Sequence, residues 1–466
     1  MSEQNTTLNV VSPFDGSLIK TIDLRSSEEA YGMLDTAVAL HRDRDAWLQP
    51  HERISILSKL ASLVEAEADD FAKLIAREGG KPYTDAQIEV ARAIDGIRLA
   101  TKELAHVVRG GEVPMGHTAA SVGRSAHTTY EPIGVVIAVS AFNHPLNLII
   151  HQVVPAIAVG CPVIVKPACT TPLNCIRFAE LVHQAGLPEG WCQICICNND
   201  VAELLVTSDR IGFFTFIGSA RVGWMLKSKL APGVRCALEH GGAAPVIVDK
   251  TADLGTAVPS MLKGGYYHAG QVCVSVQRVF VHESIAEQMT QKLAEGAENL
   301  VVGDAVNPDT EVGPLILPKE VDRVEAWVNE AVEAGATCVT GGKRLSDTTY
   351  PPTILVNPPS EASVSTKEIF GPVVCIYPYS DLQEAIDRAN SLDVTFQAAV
   401  YTEDMEVAKT CSDRLDATAV MINDHTAFRV DWMPFAGRKA SGYGIGGIGY
   451  TMHDMVQLKM IVTKHS

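Results

Sequence analysis

The chain has 466 residues, 47% of them hydrophobic, and a formal net charge of −17. That length supports about two to three domains with large cores, and the acidic balance excludes nucleic acid and anionic membrane as electrostatic partners. Residues 1–20 lack the basic start and long apolar core of a signal peptide, no uncharged apolar run is long enough for a bilayer, and the expected compartment is the cytoplasm, where the 11 cysteines stay thiols.

In chain order, residues 8–24 read as two short strands around an Asp15-Gly16 turn. Helical periodicity follows over 27–47, 52–66, 67–76 and 84–108, punctuated by Gly79-Gly80-Lys81-Pro82. Residues 110–125 are rich in glycine and small polar groups and lead into strands near 125–133. From Val135 the pattern changes. Strands at 135–139, 162–166, 192–197 and 211–216 alternate with helices at 145–158, 172–184, 201–206 and one opening at Ser219. That rhythm predicts a parallel sheet covered by helices, with ligands at the carboxyl ends of its strands. A second alternating set runs from 245 to about 421, with helices at 283–300, 319–334, 380–390 and 403–412. The fold class is therefore α/β, with two domains meeting near residue 240. The run 456–462 reads as an apolar strand, to be covered by another subunit or by the 125–133 strands.

The stretch Gly264-Gly265-Tyr266-Tyr267-His268-Ala269-Gly270-Gln271-Val272-Cys273 ends a helix expected over 253–268 and precedes a strand at 276–281. Glycines leave the Cys273 sulfur open to an incoming carbonyl and let backbone N–H groups approach it, which suits a nucleophile. A cysteine in such a setting is also read as a small buried hydrophobe. Asn143-His144-Pro145, Lys166-Pro167-Ala168 and Gly218-Ser219…Gly223 follow the first, second and fourth strands of the first block. A glycine turn with serine as N-cap leaves N–H groups free for a phosphate, and the three features together favour a nucleotide. Glu239-His240-Gly241-Gly242 lies at the domain junction, where a carboxylate can serve as general base. Gly442–Gly447 fits GxGxxG by letter, but no strand precedes it in a βαβ unit, so it reads as a flexible loop. Cys192, Cys195 and Cys197 lack a second pair or a histidine at zinc spacing, and no metal site is expected.

Taken together, Asn143, Lys166-Pro-Ala, Gly218-Ser219…Gly223, Glu239-x-Gly-Gly, Gly270-Gln-x-Cys273, Glu368-Ile-Phe370-Gly-Pro372 and Pro434-Phe435-x-Gly437 resemble the aldehyde dehydrogenase superfamily across nearly the whole chain. The resemblance implies two doubly wound α/β domains, a Rossmann-like cofactor domain (1–124 and 134–240) and a catalytic domain (241–447). A small β oligomerisation element (125–133 and 448–466) would build a homodimer or homotetramer. Cys273 would be the nucleophile, Asn143 with the Cys273 N–H the oxyanion donors, and Glu239 the base that activates water. Lys166, Cys169, Gly218, Ser219, Gly223, Glu368 and Phe370 would face the cofactor, NAD or NADP.

The sequence also departs from the family. Cys169, followed by Thr170 and Thr171, stands where an acidic residue often excludes a 2′-phosphate, which implies that NADP is tolerated. Phe142 replaces a common Trp, Ala436 a common Gly, and His240 an apolar residue, without an evident reason for the last. By resemblance Phe142, His425, Arg429 and Phe435 line the substrate pocket, and His425 and Arg429 add positive potential. The region looks most like the lactaldehyde and semialdehyde branches. It implies a short polar aldehyde, with or without a carboxylate, sulfonate or phosphate tail. The bland alternative pairs Arg429 with Asp424 or Asp431. Two rival functions remain at this point: a cofactor-independent cysteine hydrolase using His268, and a non-catalytic structural protein on the same fold.

Overall fold

The apolar runs of the first block carry few polar residues because their strands are buried on both faces, as parallel strands under helices must be. The computed structural model describes residues 6–465. Its first sheet has six strands in the order Gly442–Tyr443, Arg235–Glu239, Ile211–Ile217, Val135–Val139, Val163–Lys166, Cys192–Ile194. All pairings are parallel except that of Gly442–Tyr443. Chain order reverses between Val135–Val139 and Ile211–Ile217. A crevice therefore opens beyond their carboxyl ends, where Asn143 and Gly218 follow.

The second sheet has seven strands in the order Thr337–Thr340, Thr353–Val356, Val373–Tyr379, Val276–His282, Ala244–Val248, Gln397–Tyr401, Ala419–Ile422. Only the outermost pair, Thr337–Thr340 with Thr353–Val356, is antiparallel. A third, three-stranded sheet pairs Val456–Lys464 with Arg124–Pro132, and the latter with Glu112–Val113. The terminal strand is thus covered on one edge within the chain. Leu458, Met460, Ile461 and Val462 remain exposed on it.

Several elements differ from the sequence reading. The helix expected over 27–47 ends at Arg42, where Asp43 caps a separate turn, Arg44–Ala46. The strand expected over 192–197 is only Cys192–Ile194. The Gly442–Gly447 stretch is no flexible loop. Gly442 and Tyr443 add an antiparallel edge strand opposite Glu239 and Leu238, Gly446 exchanges backbone hydrogen bonds with Phe435, and Gly447 caps the helix Ile448–Asp454. The chain therefore rejoins the first sheet before residue 447. Residues 448–454, expected in the oligomerisation strands, form a helix whose buried Ile448 and Met452 join the first block's core. Among the described residues no helix is long and apolar enough to cross a membrane, and no cluster of His, Cys, Asp and Glu could hold a metal.

Candidate active site

The Cys273 loop is shaped by its backbone. Asp253 caps the helix Leu254–Tyr266 by accepting from Gly255 N. The helix then stops, and His268, Ala269 and Gly270 follow with φ of 48°, 54° and 70°. The first two lack the glycine that makes such angles easy, so the surroundings must hold them. At Gly270 a Cβ would collide with the Gly371 carbonyl, which locks this loop against the Glu368–Pro372 segment. Gln271 is buried and closes the loop from inside. Its Nε2 donates to the His268 and Pro314 carbonyls at 3.2 Å, and its Oε1 accepts from Ile316 N at 2.9 Å.

Asn143, 5% exposed, donates from Nδ2 to the Gln271 carbonyl at 3.0 Å. This bond ties the end of the first-sheet strand to the Cys273 loop. The chain beyond Asn143 is fixed by Glu89, which accepts from Leu146 N at 2.9 Å and Asn147 N at 3.0 Å. Glu89 is fully buried and is paired with the fully buried Lys81, whose Nζ also lies 2.8 Å from His144 Nδ1. Neither Lys81 nor Glu89 was legible as a site residue, since they reach Asn143 only through a fold contact.

Between the domains lies a cavity of about 770 Å³. Asn143, Glu239 and Cys273 line it together, as do Gly218, Ser219, Glu368, Phe370, Phe142, His425, Arg429 and Phe435. Lys166, Cys169 and Gly223 do not line it. Lys166 is turned back on its own loop, donating to the Pro167 carbonyl at 3.3 Å and lying 3.7 Å from Cys169 Sγ. At Gly223 the missing Cβ is replaced by the His240 ring, so this glycine makes room for a side chain behind the turn.

Burial sets the charge states. It pushes the Glu239 carboxyl up to about 7, with Arg429 opposing. It pushes Glu368 up to about 8, with the Gly242 N–H and Arg323 opposing. The Cys273 thiol is raised well above its ordinary range by burial, then by the Glu239 and Glu368 carboxylates, while Arg429 opposes. The sulfur is therefore a thiol until a base takes its proton, a loss that nearby positive charge favours.

Arg429 is not paired with Asp424 or Asp431. Its guanidinium lies 3.6 Å from the centre of the Phe435 ring, its Nη2 is 3.4 Å from His151 Nδ1, and its Nε is buried without a partner. Asp431 is taken by Arg92, at 3.2 and 2.7 Å, and by His151 Nε2 at 2.7 Å. His151 thus donates to Asp431 and presents a bare Nδ1 to Arg429. His425, expected to add positive charge, is held neutral instead. Burial lowers its pKa, and Nδ1 accepts from Ala427 N at 3.1 Å. Arg92 and Lys263, which the sequence reading missed, also line the cavity. Neither ring nitrogen of the fully buried His268 has a partner, so no Cys–His hydrogen bond exists to support a hydrolase dyad.

The site suits a dinucleotide. Ser219 caps the helix Ala220–Lys227 without a side-chain bond, leaving first-turn N–H groups for an anion. Glu368 Oε1 is buried in the cavity wall without a partner, a vacant acceptor for a ribose hydroxyl.

Residues 1–461 match the aldehyde dehydrogenase family. The 3-sulfolactaldehyde dehydrogenase of Priestia aryabhattai is 39% identical over 415 residues, 89% of this chain and 86% of that one. Among solved structures, aldehyde dehydrogenase 21 from Physcomitrella patens, in complex with the reaction product succinate, superposes with a TM-score of 0.94 at 32% identity, covering 100% of this chain and 96% of that one. Glyceraldehyde-3-phosphate dehydrogenase GapN from Methanocaldococcus jannaschii, complexed with NADP, gives 0.92 at 34% identity, covering 98% and 99%.

Proposed function

The chain belongs to the aldehyde dehydrogenase family and is an NAD(P)-dependent aldehyde dehydrogenase; from that premise we propose that it oxidises a short, anionic aldehyde to the carboxylic acid through a thioester on Cys273. The observation that carries this reading is the shared wall of one cavity, where Cys273, Glu239, Asn143 and Arg429 meet.

In this reading Cys273 Sγ, once deprotonated, bonds to the aldehyde carbon, and the carbonyl π pair moves onto oxygen. The Asn143 amide and the Cys273 N–H receive that oxyanion, about 3–4 kcal/mol for a well-placed donor. Asn143 already points its amide at the Gln271 carbonyl, two residues from the sulfur. Bound oxidised nicotinamide supplies the acceptor for the hydride lost from the former aldehyde carbon. Glu239, near neutrality in pKa, then takes a proton from water as the water attacks the thioester carbon. The C–S bond breaks, the acid leaves, and Cys273 recovers its proton.

Arg429 selects the tail. It faces both Cys273 and Glu239 closely enough to oppose their pKa rise, and its Nε lacks a partner. A sulfonate, carboxylate or phosphate two or three bonds from the aldehyde would satisfy it. The sulfolactaldehyde and succinate chemistry of the relatives supports the same tail. Cys169, Thr170 and Thr171 set no carboxylate against a 2′-phosphate, so both dinucleotides serve. The exposed Leu458, Met460, Ile461 and Val462 would seat a second copy of the chain.

The test is reduced-cofactor absorbance with sulfolactaldehyde, succinic semialdehyde and lactaldehyde under NAD and NADP. The reading requires higher kcat/KM for the anionic aldehydes than for neutral lactaldehyde. A preference for the neutral aldehyde would overturn the tail assignment.

A further inference from the structure

Gly218 is held on both sides by Glu239, the last residue of the strand beside it, and by His240, which follows it. Its N–H donates to the Glu239 carbonyl at 3.0 Å, and its carbonyl lies 2.9 Å from His240 Nδ1. A carbonyl only accepts, so Nδ1 carries the ring proton, and Nε2 of the neutral ring is a bare acceptor. His240 is 2% exposed. Its ring centre lies 5.7 Å from that of Phe216 and 5.8 Å from that of Trp224, and its N–H donates to the Ser441 carbonyl at 2.9 Å. Nε2 is buried without a partner, and the ring fills the space that a Cβ at Gly223 would need. The imidazole is thus wedged beneath the first turn of the helix Ala220–Lys227, with its one proton on the turn's carbonyl.

We infer that His240 is a positioning residue for the dinucleotide, fixing the Gly218–Ser219 turn so that the helix N–H groups face the pyrophosphate. The inference rests on the dinucleotide-dependent reading above. A leucine would fill the wedge but leave the Gly218 carbonyl without its donor. The turn would then be tied to the sheet through one bond instead of two, and part of the ordering would fall to the dinucleotide itself. An asparagine can place an amide N–H where Nδ1 stands.

The test compares His240→Leu and His240→Asn with the native chain by calorimetric titration of NADP and NAD without aldehyde, beside kcat at saturating dinucleotide. His240→Leu should raise Kd about tenfold, the size of one lost hydrogen bond with its ordering cost. Its kcat should fall by less, about threefold at most, and His240→Asn should bring Kd back to within about threefold of native. An unchanged Kd in His240→Leu would overturn the inference. So would an equal loss in both variants, which would assign the ring to packing alone, or a loss confined to kcat, which would place it on the chemistry beside Glu239. Failure of the native chain to bind either dinucleotide would instead sink the underlying reading, and it is seen before any variant is made.

Discussion

Glu239→Gln separates the catalytic from the structural consequences of one buried carboxyl. Burial raises this group from its ordinary 4.5 to about 7. At about 1.4 kcal/mol per pH unit, the folded chain loses up to about 3 kcal/mol of stability when the carboxyl ionises. The sign follows from proton binding. Between pH 4.5 and 7 the folded state holds the proton that the unfolded chain releases, so stability falls as pH rises through that window. The carboxyl is only half-buried, and that exposure screens part of this cost. Glutamine has no charge to desolvate. The variant should match the native chain near pH 4 and exceed it at pH 8–9 by about 1–3 kcal/mol, or about 1–3 °C in thermal midpoint for a chain this long. Its reduced-cofactor burst should persist while steady turnover falls by about 100-fold or more. Native turnover, if hydrolysis limits it, should rise with pH and level off above about 7. A variant no more stable at pH 9 than the native chain, or one that hydrolyses its thioester at the native rate, would refute the reasoning.

Other outcomes follow from the same geometry. Asn143→Ala should lower kcat by about 100- to 1,000-fold, the effect of one lost oxyanion donor, in stopped-flow traces of the burst. Arg429→Met should raise KM for anionic aldehydes by at least about tenfold while leaving KM for neutral lactaldehyde nearly unchanged, with kcat falling for both as Cys273 and Glu239 lose its opposing charge; equal KM changes for both would contradict tail binding. Glu89→Ala strands Lys81 as an uncompensated buried charge and should cost about 3–5 kcal/mol by urea denaturation. NAD and NADP should give comparable kcat/KM, and a preference for NAD above about 1,000-fold would refute the reading of Cys169 to Thr171.

The parts of the site legible in the sequence are those written locally. Gly270-Gln271-Val272-Cys273 and Gly218-Ser219 announce themselves because a tight backbone demands glycine and a helix start favours serine. Strand ends carrying Asn143 and Gly218 were readable from the βα alternation, and the reversal of strand order brings them to one crevice. What stayed hidden depends on distant contacts. Asp431 holds His151, 280 positions away, and Arg92, 339 positions away. No periodicity links those residues, so Arg429 could be suspected of pairing with a neighbouring aspartate. The charge of His425 failed for a similar reason, since burial is a property of the packed pocket. His240 and Gly223 looked unrelated in sequence, yet one side chain occupies the space the other lacks. Gly442–Gly447 misled because its glycines serve close backbone approach beside Glu239, where the sequence shows only flexibility.

The most direct test of the account is to trap the acyl group. Glu239→Gln is mixed with NADP and succinic semialdehyde, quenched in acid and digested, and the peptide containing Cys273 is weighed. The account predicts a mass increase equal to the acyl group on Cys273 alone, formed with one equivalent of reduced cofactor and absent without NADP. Reduced cofactor with an unmodified Cys273 peptide, an adduct on another cysteine, or sustained turnover by Cys273→Ala would contradict it.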